Sequence, residues 1–393
     1  MFENLAAAPP DPILGLTEAF RKDTNPQKIN LGVGVYKTAE NKTPILRCVK
    51  EAERHLLQTE DSKSYLSMAG IDQLGGQVRD LLWGDQIDDS RCGTVQTPGG
   101  TGGLRVAADF LTQRFPGVRM WCSAPTWANH PTVFGAAGLE VQSYDYLADD
   151  GISLDFAAMM ESLNKIPKGD AVCLHGCCHN PTGVDPTSDQ WQEIAATVQE
   201  RALLPLLDFA YQGFGDGVNE DAEGVRTVLK TGTDALICSS FSKNFGLYSE
   251  RIGALTAVTA NANAADATLS NLKMSVRANY SNPPLHGGAI VSTVLASDEL
   301  KQIWLEELAE MRERIREMRS AFVRAMKERC PDRDFSFIAH QKGMFSFSGL
   351  NRMQVDELRA KHSIYIVGSG RINVAGINGQ NIGTLCDAIA SVM

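Results

Sequence analysis

The chain has 393 residues, with 37 Lys and Arg against 47 Asp and Glu and a formal net charge of −10. That length exceeds the roughly 250–300 residues at which single hydrophobic cores stop growing, and so predicts one large domain and a smaller one. The acidic balance, the lack of a basic block and the lack of an apolar run near the roughly 20 residues that cross a bilayer argue against nucleic-acid and membrane partners.

Residues 1–10 lack the basic start and apolar stretch of a secretory signal. Nine cysteines at irregular spacing, with no Cys-x-x-Cys, do not read as a disulfide framework. A reducing, cytoplasmic location is expected. From about 90 to 260, short apolar runs alternate with helical patterns, which predicts an α/β domain with a mainly parallel sheet flanked by helices. The expected strands are 93–97, 120–123, 140–144, 171–176, 203–208, 235–239 and 252–258, with helices over 104–114 and 188–201. Over 299–329, Ile303, Leu308, Met311, Ile315, Met318, Phe322 and Met326 recur every three to five residues, predicting one long amphipathic helix at the domain seam. Beyond it, 335–347 and 364–375 read as strands around a helix near 354–361, a small α+β domain.

Four polar segments follow apolar runs, and the carboxyl ends of strands in an open α/β sheet gather at one crevice. Thr97-Pro98-Gly99-Gly100-Thr101-Gly102-Gly103 precedes a helix. It suits either a plain tight turn or an anion held by helix N–H groups. Neither it nor Leu31-Gly-Val-Gly-Val35 has the spacing of a P-loop or a dinucleotide fingerprint. Asp208 ends an apolar run, where a carboxylate must be paired or functional. His175, Cys177, Cys178 and His179 suggest zinc by type, but neighbours so close in sequence do not readily turn to one tetrahedral ion, and no metal is expected. Asn180, before Pro181, is the more interesting group there. Lys243 follows three serines and precedes Arg251 by eight residues. A lone lysine reads equally as a solvated surface residue, whereas one drawn into a crevice loses charge and becomes nucleophilic.

With these motifs assembled, the sequence resembles the aspartate/aromatic aminotransferases of fold type I. The likeness runs from 11–15 to 371–376 and is nearly letter for letter at 175–183, 208–214, 239–253 and 277–284. The resemblance implies pyridoxal 5'-phosphate, with Lys243 holding it as a Schiff base. It implies Gly100, Thr101, Ser240 and Arg251 around the phosphate, with Tyr65 reaching it from a neighbouring subunit. Asp208 would pair with the ring nitrogen, Tyr211 and Asn180 with the phenolic oxygen, and Trp127 would stack on the ring. Arg371 would take the substrate α-carboxylate and the neighbour's Arg277 the distal one, with Gly34, Trp127 and Asn180 also meeting substrate. Lys243, Asp208 and Tyr211 are the implied catalytic set.

The implied reaction is ping-pong transfer of an amino group between L-aspartate or L-glutamate and 2-oxoglutarate or oxaloacetate, through pyridoxal and pyridoxamine phosphate. The implied organisation is a homodimer with shared sites. Each chain would have an arm over 1–10, a small domain of 11–43 and 311–393, and a cofactor domain over 44–310. Gly103 stands where the family more often has Ala, and Ala128 where Pro is common. The alternatives are an aromatic-amino-acid aminotransferase, or a lyase or decarboxylase on the same cofactor. A non-catalytic regulator and a nucleotide-dependent oxidoreductase lack supporting motifs. Val35, Lys37, Thr43, Ser64 and Asn282 are candidates for tuning aspartate against aromatic substrates.

Overall fold

The computed structural model describes residues 2–7 and 14–393. Residues 1 and 8–13, which hold part of the expected arm and most of the 11–15 motif, lie outside the described residues. The chain divides into two compact units, Pro44–Glu313 and the described residues up to Thr43 together with Arg314–Met393.

Eleven strands occur among the described residues. The short β1 is Ile29–Asn30. The large unit holds β2 (Cys92–Pro98), β3 (Arg119–Ala124), β4 (Glu140–Asp145), β5 (Ala171–His175), β6 (Leu204–Phe209), β7 (Ala235–Ser240) and β8 (Ile252–Val258). The remaining three are β9 (Phe345–Phe347), β10 (Ile364–Tyr365) and β11 (Arg371–Asn373). The seven-stranded sheet has the order β2-β8-β7-β6-β5-β3-β4. Only β8 runs antiparallel to its neighbours, so the sheet is mainly parallel, as expected. Strands β5, β7 and β8 are buried along their whole length, whereas the edge strand β4 has one buried residue. Central strands covered by helices on both faces must be apolar throughout, which explains runs such as Ile252-Gly-Ala-Leu-Thr-Ala-Val258. Because β2, β5, β6 and β7 run the same way, the segments that follow them share one sheet edge.

Several elements differ from the sequence reading. The helix after β2 begins at Gly99 and not at Leu104, and runs to Arg114. Its glycines form the first turn itself, where small residues admit a close neighbour. The 188–201 helix spans Ser188–Glu200 and starts on a capping box between Thr187 and Gln190. The long helix covers Asp298–Arg329, and the division between units falls within it. Trp304, absent from the apolar stripe as read, is fully buried, whereas Ile303 and Met318 are only half-buried.

In the small unit, the expected strand over 335–347 is instead a helical turn, Phe337–His340, followed by the three-residue β9. Gly343, at φ +74°, breaks the run. The expected strand over 364–375 is likewise split into β10 and β11. A turn closed by Gly370 at φ +81° separates them. The strand β1 joins β10 in parallel and β9 joins β11 antiparallel. Arg319, fully buried, binds these turns together by donating to the carbonyl oxygens of Ile338 (2.9 Å), Gly343 (2.8 Å) and Phe345 (2.8 Å). Among the described residues no helix is long and apolar enough to cross a membrane.

Candidate active site

Asp208 is the fifth residue of β6 and only 8% exposed. His130, at the start of the helix His130–Ala136, donates Nε2–H to its Oδ2 at 3.0 Å. The Thr126 hydroxyl joins His130 Nδ1 (2.7 Å) to His175 Nε2 (3.1 Å), giving its proton to one ring and receiving one from the other. Burial pushes the Asp208 carboxyl up. The His130 hydrogen bond, helped by the nearby Lys243, outweighs that and holds it below the usual carboxylate range. Burial drives His175 down to about 3, so its ring is neutral near pH 7.

Lys243 lies three residues beyond β7, with its Nζ 4.8 Å from the centre of the Tyr211 ring. Burial lowers its pKa most, the Asp208 carboxylate opposes that fall and Arg251 adds to it. The amine is therefore available at lower pH than that of an ordinary lysine. Tyr211 follows β6, and Asn180 Nδ2 donates to its hydroxyl at 3.5 Å, both side chains being buried. Trp127 meets His130 edge-on, ring centres 5.3 Å apart.

A second cluster forms where the helix Gly99–Arg114 begins, with no side-chain cap on its first N–H groups. A Cβ at Gly99, which sits at φ +73°, would lie 2.5 Å from Arg251 Nη2, and one at Gly100 would lie 3.1 Å from Ser240 Cβ. Arg251 itself is held at φ +53°, a conformation that non-glycine residues rarely adopt. Ser240 Oγ donates to Ser242 Oγ at 3.3 Å, and Arg251 Nη1 reaches the same oxygen at 3.5 Å. Ser239 Oγ is buried and has no hydrogen-bond partner among the described residues. Uncapped helix N–H groups, hydroxyls and a guanidinium make an anion cradle. Gly100, Thr101, Ser240 and Arg251 thus meet here, and Ser242 joins them. Ser242 was legible as a third serine before Lys243, but no local pattern marked it for the cradle.

Within the large unit, Tyr65 and Arg277 stand apart from this group. Tyr65 is 92% exposed beside a cavity of about 550 Å³ lined also by Ile71, Leu285 and Ala289. Arg277, exposed in the last turn of the helix Ala262–Asn279, donates to Ser281 Oγ at 2.5 Å. Neither bonds to the Lys243 cluster among the described residues. Within the small unit, Arg371 on β11 is buried, donates Nη2–H to Gly32 O at 2.6 Å and lies 4.2 Å over the Phe345 ring. Gly34 packs on that same ring, where a Cβ would stand 2.7 Å from it. The His-Cys-Cys-His segment does not converge. His179 bonds Ser123 and Thr182 at 2.9 Å each, while the Cys177 and Cys178 thiols lie near Asp221. His130 and Thr126 escaped the sequence reading, since nothing local signals a partner 78 residues away.

An amine, an ionised carboxylate and an anion cradle on one sheet edge suit a phosphorylated ring that forms an imine. The family model for aminotransferase class I and II matches residues 26–389. The chain belongs to that family. This aminotransferase is 52% identical over 396 residues to an aspartate aminotransferase of Salmonella typhi, covering all of both chains. It is 42% identical over 397 residues to an aromatic-amino-acid aminotransferase of Escherichia coli, again covering all of both. Among solved structures it is similar to an aromatic-amino-acid aminotransferase from Burkholderia pseudomallei covalently bound to pyridoxal phosphate. That likeness has a TM-score of 0.97 and 46% identity, covering 100% of this aminotransferase and 99% of that chain.

Proposed function

We propose that this chain is a pyridoxal-phosphate-dependent aspartate aminotransferase of the cytoplasm. It transfers the amino group between L-aspartate or L-glutamate and 2-oxoglutarate or oxaloacetate, with side activity on aromatic amino acids. The observation that carries the reading is the meeting of Lys243, Asp208 and the Gly99–Arg251 cradle on one sheet edge. These three match the aldehyde, ring nitrogen and phosphate of the cofactor. The fit extends to detail: a Cβ would crowd the cradle at Gly99 and Gly100.

When bound, the cofactor supplies an electron-accepting ring conjugated to the substrate Cα. Asp208, which accepts a hydrogen bond from His130, would pair with the ring nitrogen and favour its protonation. Tyr211 and Asn180, already joined by a hydrogen bond, would hold the phenolic oxygen, and Trp127 would stack on the ring. Lys243, its charge disfavoured by burial, would hold the cofactor and, once freed, serve as the base for the substrate Cα proton. Arg371, steered by Gly32 O and Phe345, grips the α-carboxylate as a bidentate fork, with Gly34 beside it. Arg277 of a second copy reads the distal carboxylate, and Tyr65 of that copy reaches the phosphate. Exposed Tyr65 and Leu57, and cavities of about 550 and 620 Å³ bordering the helices Arg47–Thr59 and Leu285–Ala296, support a homodimer built on this face. Nine cysteines at irregular spacing, with no Cys-x-x-Cys, support a reducing compartment.

Half-reaction spectra of the holoenzyme with a panel of amino acids test this reading. Aspartate and glutamate should convert fastest, aromatic residues more slowly, and alanine and lysine least. Faster conversion of alanine than of aspartate, or a decarboxylated product, would contradict it.

A further inference from the structure

Behind Asp208 lies a group of three soft ligands that the reaction does not use as such. Cys122 on β3 and Cys173 on β5 are register partners on adjacent parallel strands, so both side chains stand on one face. His130 covers them, its Nε2 3.9 Å from Cys173 Sγ. All three are buried, and one ligand atom from each lies within 4.8 Å of the others. Tetrahedral zinc, with bonds of about 2.3 Å to sulfur and 2.0–2.1 Å to nitrogen, needs ligand atoms about 3.5–3.8 Å apart. Closing the triangle therefore takes movements of about 1 Å. Asp208 Oδ2, 3.0 Å from His130 Nε2, stands ready as an oxygen ligand.

The neighbouring trio Cys177, Cys178 and Asp221 fits less well. Both Asp221 oxygens already accept backbone N–H groups, from Gly213 and Gly215 on one and Asp216 on the other, at 2.7–2.9 Å.

We propose that Cys122, Cys173 and His130 form an inhibitory site for a thiophilic divalent cation, Zn2+ above all, completed by Asp208. Two thiolates and an imidazole select such an ion over Mg2+ or Ca2+. On binding, two S–H bonds break and two Zn–S bonds form, and both thiol protons leave to solvent. His130 Nε2 exchanges its hydrogen bond to Asp208 for a bond to the ion, and its ring proton sits on Nδ1 facing the Thr126 hydroxyl. No electron is transferred. The ion thus takes the place of the proton shared between His130 and Asp208. Inhibition rests on the proposed role of Asp208 at the ring nitrogen; binding does not.

The test titrates the full-length holoenzyme with Zn2+ alone, and with Cd2+ as a spectroscopic probe, in chelator-free buffer. One ion per chain should be retained after dialysis, with a cadmium–thiolate ultraviolet band, proton release and at least tenfold loss of activity that a chelator restores. Cys122→Ala and Cys173→Ala should keep the uninhibited rate, lose the band and raise the inhibitory zinc concentration at least tenfold. Cys122→Ser, of nearly equal volume, guards against a packing failure and should show the same loss. A wild-type chain that retains no ion overturns the site, as does a band that persists unchanged in all three variants. Binding with the band but without inhibition keeps the site and counts against the role given to Asp208.

Discussion

At the scale of single residues, the chemistry depends on one ionised carboxylate kept in a place that disfavours charge. Burial raises the Asp208 pKa, and the hydrogen bond from His130, positioned through Thr126, more than offsets the rise. Asp208→Asn removes the charge that stabilises a protonated ring nitrogen while leaving volume nearly unchanged. Losing a buried charge partner costs several kcal/mol, and a tenfold rate change is about 1.4 kcal/mol. The expected result is a turnover loss on the order of a hundredfold or more, read by steady-state kinetics; near-normal turnover would make Asp208 merely structural. The same substitution bears on Lys243, whose pKa burial lowers and the Asp208 carboxylate raises. Only the neutral amine reacts with an acylating reagent, so a lower pKa moves labelling to lower pH. In the cofactor-free chain, Lys243 should label at lower pH than exposed lysines, and at lower pH still in Asp208→Asn. An upward shift in the variant would contradict this electrostatic reading.

At the scale of elements, close approach explains a departure that sequence comparison could only record. A Cβ on Gly103 would come within 2.5 Å of Cys238 Sγ on β7, whose thiol donates to Gly100 O at 3.1 Å. Gly103→Ala gains about 1 kcal/mol of helix propensity but overpacks a buried contact, typically at 1–3 kcal/mol. The single variant should lower the Tm, and adding Cys238→Ala should restore it; additive losses in the double variant would remove Cys238 as the cause. The edge strand β4 was legible although only one of its residues is buried, and the elements with uniform packing were legible throughout. Strands β5 to β8 and the 298–329 helix show themselves because most of a face, or both faces, is buried. The small-unit strands were not legible, since two- and three-residue pieces such as β1 and β10 are defined by a partner more than 300 residues away. Lys243, Asp208 and the glycine segment announced themselves by following apolar runs. Their supports, His130, Thr126 and Cys238, act across strands and leave no local pattern.

At the scale of the whole molecule, the proposed site takes residues from two chains. If Arg277 serves the partner's substrate while Lys243 and Arg371 serve their own, Lys243→Ala and Arg277→Ala homodimers should each be almost inactive toward aspartate. In a mixed dimer, one site carries both defects and the other none. Random reassembly into closed two-fold dimers then recovers about a quarter of wild-type activity, since about half the dimers hold one intact site. No recovery, with mixed dimers confirmed by mass spectrometry, would put both residues in one chain's site. Every part of this scheme turns on where the cofactor is attached. Borohydride reduction of the holoenzyme followed by peptide mapping asks that directly: the account predicts the reduced cofactor on Lys243, and an adduct on another lysine, such as Lys230 or Lys273, would contradict it.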